Sequence, residues 1–264
     1  MTERLTLLRP ADIGRALARA VDRVDQAPLV LDPGLVAARL AAGSFEAVRS
    51  LLRGADATPE IPLIAARYLR WTGDIPTVMA AWPVIERALD QLDAADAHVR
   101  SATLDELQPA AVDVGRPQLA ARLRALARSA SPPMRVRAEG DARTILDVAA
   151  DLLGIAPDAV RGRIGLRVNA TRYDAIEVQN IRCADASIAL VVERGADDVS
   201  IRIEQTAGAV PLTALLEPSV ARATAAEVDG VPADLAFRET DEGIVVPVQV
   251  VLDDTRTLRI RAPA

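Results

Sequence analysis

The feature that most constrains this chain is a change of hydrophobic period across Gly154. Upstream, apolar residues recur at three- and four-residue steps, as in Ile13, Leu17, Val21 and Val24 and again in Leu119, Leu123 and Leu126. That spacing gathers them on one face of a helix. Downstream they alternate, with Ile188, Leu190 and Val192 in one run and Val199, Ile201 and Ile203 in the next, the two-residue period of half-buried antiparallel strands. The expected fold class is α+β: an N-terminal α-helical hairpin domain over residues 1–155, followed by a C-terminal antiparallel β-sandwich over 156–264. Two sheets with one apolar face each must cover one another, so about eight short strands predict a sandwich.

Glycine, proline and capping residues punctuate the helical half at residues 28–34, 54–62, 73–74, 115–117 and 131–133. In Asp74-Ile75-Pro76 a side-chain acceptor precedes a proline in the first turn, where the missing amide costs nothing. A helix is therefore expected to start just after Asp74. In the second half, Gly195-Ala196-Asp197-Asp198 has the composition of a hairpin loop, and further strands are expected at 235–237, 245–251 and 258–260. The phrase Leu40-Ala41-Ala42-Gly43-Ser44-Phe45-Glu46-Ala47 resembles the small-residue turn of helical repeats, without a constant repeat period.

Composition excludes several function classes. The chain has 264 residues, 50% of them hydrophobic and 26% charged, enough to bury a sizeable core and stay in solution. Its charge of -6 argues against a nucleic-acid partner, which needs a basic face. It contains no lysine, so arginine carries the side-chain cationic charge, as a GC-rich bacterial coding bias would produce. With Cys183 the single cysteine and His98 the single histidine, a disulfide and a Cys/His zinc cage have no ligands to form from. No cofactor or metal is expected. Neither a secretory leader nor a membrane span is read from the sequence, and the expected location is cytoplasmic.

The phrase Asp56-Ala57-Thr58-Pro59, followed by Tyr68-Leu69-Arg70-Trp71-Thr72-Gly73-Asp74 and then Trp82-Pro83, resembles one helical hairpin of the six-hairpin glycoside hydrolases. The resemblance is to the glycogen-debranching amylo-α-1,6-glucosidase group. Residues 104–127 look like a later hairpin of those barrels, and Leu152-Leu153-Gly154-Ile155-Ala156-Pro157 is similar to their passage into a C-terminal β-domain. The resemblance loosely covers residues 34–264 and implies a reduced α/α toroid. Departures from the pattern matter as much. The family's aromatic-rich Trp-x-Asp acid motif has no match, the segment that would supply the base is missing, and about seven or eight helices are read where a full barrel has twelve. Glycoside hydrolysis needs an acid and a base or nucleophile on opposite sides of one bond. No catalytic residue is therefore assigned.

Binding candidates follow from the same phrase: Asp56 to sugar hydroxyls, with Tyr68, Trp71 and Trp82 as an aromatic platform. Each has a structural alternative. Asp56 reads first as a cap or turn residue before Pro59, and three rings across a hairpin turn also make a core. Glu86 and Asp90, four apart, read as solvated surface, and Glu60 is the other acid nearby. His98 after Asp96 reads as a loop or capping position, Cys183 as a small buried filler, and Gly162-Arg163-Ile164-Gly165 as an entry turn before a strand.

The function expected is a non-catalytic relative of the six-hairpin glycosidases, acting as a carbohydrate-related binding or assembly module. Its partners would be a carbohydrate ligand and a second copy or another protein, with no nucleic acid and no membrane. The alternatives are an active glycosidase whose short barrel is completed by oligomerisation, and a helical-repeat adaptor.

Overall fold

A computed structural model describes residues 4–127, 138–233, 236–241 and 243–261. A four-residue strand, β1 (Thr6–Arg9), leads into α1 (Ala11–Gln26), α2 (Pro33–Ala41), α3 (Phe45–Gly54), α4 (Ile61–Thr72), α5 (Ile75–Leu89), α6 (Ala97–Asp113), α7 (Pro117–Ala127) and α8 (Gly140–Leu146). The last of these widens into a π-helical turn, Asp147–Leu152. Strands follow: β2 (Ala156–Asp158), β3 (Arg163–Leu166), β4 (Ala175–Cys183), β5 (Ala186–Arg194), β6 (Asp198–Ala207), β7 (Thr213–Leu216) and β8 (Ser219–Val220). The chain ends through β9 (Ala225–Val228), β10 (Val231–Ala233), β11 (Arg238–Thr240), β12 (Gly243–Val245), β13 (Val248–Val251) and β14 (Arg256–Arg261). Among the described residues no helix is long and apolar enough to cross a membrane. The break read at 131–133 and the first residue of the strand read at 235–237 lie outside the described residues, and residues 236–237 are not in a strand, which starts instead at Arg238.

The strands form a seven-stranded sheet in the order β1-β4-β5-β6-β14-β9-β10, a four-stranded sheet β13-β7-β3-β2 and a three-stranded sheet β11-β12-β8. Register makes the alternation legible: Ile176 lies opposite Val192, Val192 opposite Ile201, and Ile201 opposite Leu258, so one inward row crosses four strands. These residues share one core with Ile164, Leu166, Leu216 and Val248 of the four-stranded sheet, as two facing sheets require. One pair, β3 with β7, is parallel, where antiparallel pairing alone was expected. The strand read at 245–251 is split in two because Pro247 has no amide to donate to a ladder.

Conformation and packing divide the chain at different places. Helical backbone ends at Leu152 and strand begins at Ala156. The core of the sheets, however, also takes in Leu7 of β1, Leu17, Val21 and Val24 of α1, and Ile145 and Val148 around α8. The expectation of a purely helical unit over 1–155 is thereby corrected at its start, because β1 pairs with β4 through Thr6 opposite Gln179 and Leu7 opposite Val178. Gly14 allows α1 to lie directly on this strand: a Cβ there would sit 2.1 Å from the Leu7 carbonyl oxygen.

A second core belongs to α2–α7. Helix α2 borders both, with Val36 and Leu40 turned into the helical core and Ala38 and Ala41 into the mixed one. Consecutive residues of α4, Leu63, Ile64, Ala65 and Ala66, are all fully buried. This helix therefore runs through the middle of the bundle, with α2, α3, α5 and α6 packed against it. On α7, Leu123 is buried but Leu126 is exposed, so the buried stripe is shorter than its apolar pattern.

Candidate functional site

The turn between α4 and α5 holds most of the residues singled out by the sequence. Gly73 ends α4 in the left-handed region at φ 67, and its amide closes on the Leu69 carbonyl. The next residue, Asp74, caps α5 as its position before Pro76 predicted: Oδ1 accepts from the Thr77 amide at 3.1 Å, and Oδ2 accepts from the Thr77 hydroxyl at 2.7 Å. The Tyr68 hydroxyl donates to the same Oδ2 at 2.8 Å and accepts from Arg49 Nε at 2.9 Å. Arg49 also lies 3.2 Å from Asp74. Burial alone would raise the Asp74 carboxyl, but hydrogen bonds from Thr77 and Tyr68, with the Arg49 charge, hold it below its ordinary range. Burial raises the Tyr68 phenol against the lowering pull of Arg49, so it remains a donor.

The candidate rings do not form one platform. Tyr68 and Trp82 are 0% and 2% exposed and belong to the helical core. Trp82 Nε1 donates to Glu86 Oε1 at 2.9 Å, which assigns that exposed carboxylate a partner within its own helix. Trp71 is half-buried and packs against both cores. Its ring neighbour is Phe45 of α3, with centroids 6.3 Å apart, and the Arg182 guanidinium of β4 covers the Phe45 ring at 5.8 Å. Phe45 and Arg182 carried no signal in the local sequence, since the pairing joins residues from three separate elements.

This turn is where the helices meet the sheets. The Ala184 amide, at the end of β4, donates to the Trp71 carbonyl at 2.8 Å. A Cβ on Gly73 would come within 3.3 Å of the Ala159 carbonyl oxygen. Nearby, Arg161 pairs with Asp113 of α6 at 2.7 Å. The phrase Trp71-Thr72-Gly73-Asp74 thus closes a helical hairpin and presses it onto the β-layer.

The remaining candidates are dispersed. Asp56 is exposed in the loop before α4 and forms no hydrogen bond or ion pair among the described residues. It is not the cap of α4 either, since Glu60 occupies that position without a side-chain bond. Asp96 caps α6 by accepting from the His98 amide at 2.8 Å, while His98 Nδ1 is buried without a partner. Asp90 ends α5 as an exposed residue. Cys183 is buried at the end of β4, and burial pushes its thiol up to about 12. Gly162 turns the chain into β3 at φ 61, a turn rather than a phosphate cradle. Among the described residues no group of three or more His, Cys, Asp or Glu side chains is placed to hold a metal ion.

No family model matches the chain, and no curated protein matches it. Among solved structures, an alpha-L-rhamnosidase from Dictyoglumus thermophilum aligns with a TM-score of 0.33 and 10% identity. The alignment covers 76% of this chain and 25% of that one, so this chain spans about a quarter of that enzyme's length. A likeness this slight carries no argument about activity.

Proposed function

We propose that this chain is a non-catalytic relative of the six-hairpin glycosidases that serves as a carbohydrate-related binding or assembly module. One observation carries the reading: the side chains of the family-like phrase are spent on internal contacts. Tyr68 and Asp74 satisfy one another, Trp82 is tied to Glu86, and Trp71 is wedged between two cores. A sugar-stacking ring must show a face, and a general acid must face a substrate across from a base. Asp56 stays exposed without a hydrogen bond or ion pair among the described residues, and one carboxylate does not make a catalytic pair. The burial of α4 through the middle of the bundle supports the same reading, because a barrel pocket needs that space open.

The test is a screen of aryl-glycosides and α-glucans with the full chain, using Asp56→Asn and Glu86→Gln as controls. The expected result is no hydrolysis above background with any substrate. Turnover that either substitution abolishes in a folded protein would overturn the reading in favour of an active glycosidase.

A further inference from the structure

A cleft of about 230 Å³ lies in the β-layer, far in sequence from the α4–α5 turn. Its floor is apolar: Ala170, Val199, Val220 and Ile260 line it and each is buried. Arg194 and Arg222 stand on its lining, and the hairpin loop at Gly195 and Ala196 forms one wall.

The charges around this cleft do not cancel. Arg194 is engaged, donating to the Thr171 carbonyl at 2.7 Å and pairing with Asp174. Asp198, the acid in the lining, is paired with Arg259 at 2.8 Å. The Thr171 hydroxyl donates to Asn169 Oδ1 at 2.6 Å. Arg222 is exposed and has no hydrogen bond or ion pair among the described residues. One guanidinium charge is therefore left unspent beside an apolar floor.

From this arrangement we infer that the cleft binds a small monocarboxylate with a compact hydrocarbon body. A guanidinium offers parallel donors that match the two oxygens of a carboxylate. The floor rewards a few carbons removed from water, in the usual way of small-molecule sites that combine apolar walls with a few polar anchors. Inorganic phosphate meets the charge but leaves the floor uncovered. A neutral sugar meets neither. The site is independent of the function proposed above, since none of its residues belongs to the α4–α5 hairpin.

Isobutyrate is the probe, titrated into the full chain by calorimetry or ligand-observed NMR, beside isobutyramide and inorganic phosphate. Isobutyrate is expected to bind saturably, with the neutral amide and phosphate each weaker by about tenfold or more, the scale of one charge-assisted hydrogen bond. Arg222→Gln, at an exposed position, is expected to weaken isobutyrate by about tenfold with circular dichroism unchanged. Ala196→Trp, on the exposed loop wall, is expected to block binding with Arg222 still present. Absence of saturation, equal binding of the amide or phosphate, or parent-like binding by both variants would overturn the assignment.

Discussion

The amide of Ala184 donates to the carbonyl of Trp71 at 2.8 Å, joining the turn after β4 to the last turn of α4. It is one of the backbone hydrogen bonds that bridge the helical bundle and the sheets among the described residues, and it sits beside the Trp71 and Phe45 rings and the Arg182 guanidinium. The helices and strands are coupled at the residues that the sequence marks most strongly.

Trp71→Ala is accordingly expected to lower unfolding free energy by about 2–3 kcal/mol, less than for a fully buried tryptophan because this ring is half-exposed. Trp71→Phe should recover part of the loss. Urea unfolding followed by circular dichroism measures both. A parent-like midpoint for Trp71→Ala would show that the ring does not hold the two layers together.

The Tyr68–Asp74–Arg49 cluster predicts an acid-sensitive contribution to stability. The Asp74 carboxyl is held below its ordinary value of 3.8 in the folded chain, so the unfolded chain takes up its proton first. The stability it contributes is complete above that ordinary value and is lost as the pH falls through the lowered folded value. Unfolding midpoints between pH 6 and pH 2 should show this, and Asp74→Asn should flatten that part of the profile. Tyr68→Phe should cost about 1–2 kcal/mol by removing a buried donor from the carboxylate. An unchanged acid profile in Asp74→Asn would remove the cluster from the account.

How far the sequence reaches differs from residue to residue. Asp74 was legible because a cap, a proline and the start of a helix lie within three residues. The rows Ile188 to Val192 and Val199 to Ile203 were legible because period two is local. β1 was not: Thr6–Arg9 is too short to display a period, and its partners Gln179 and Val178 lie far along the chain. The use of Trp71 was hidden for the same reason. Its aromatic character is local information, whereas the Phe45 and Ala184 surroundings depend on how two layers meet. The cleft beside Arg222 collects residues from several separate strands and loops, so the hairpin loop at Gly195 and the strand residues Val199 and Ile260 were legible one by one, but not their convergence beside Arg222.

Arg39 shows how misleading a charged residue in a helix pattern can be. It is 2% exposed and donates to the Val24 carbonyl at 2.9 Å and to the Ala27 carbonyl at 2.5 Å, satisfying backbone acceptors at the end of α1. Burial lowers its ordinary value, opposed by the nearby Asp25 charge. Arg39→Met keeps most of the volume but strands those carbonyls, at an expected cost of about 2–4 kcal/mol. A urea midpoint within error of the parent would contradict the capping role.

Cys183 gives the last expectation. Burial raises its thiol from 9.0 to about 12, so near pH 8 only about one molecule in ten thousand carries the reactive thiolate. The folded chain should resist iodoacetamide at that pH, while urea-unfolded chain should label readily. The same shift has a sign for stability. The folded chain holds this proton longer than the unfolded chain, so its contribution is complete below 9.0 and is lost as the pH climbs toward about 12. Cys183→Ala should remove that part of the alkaline slope. Rapid, complete labelling of the native protein would mean that the end of β4 opens readily, and with it the Ala184 contact to Trp71.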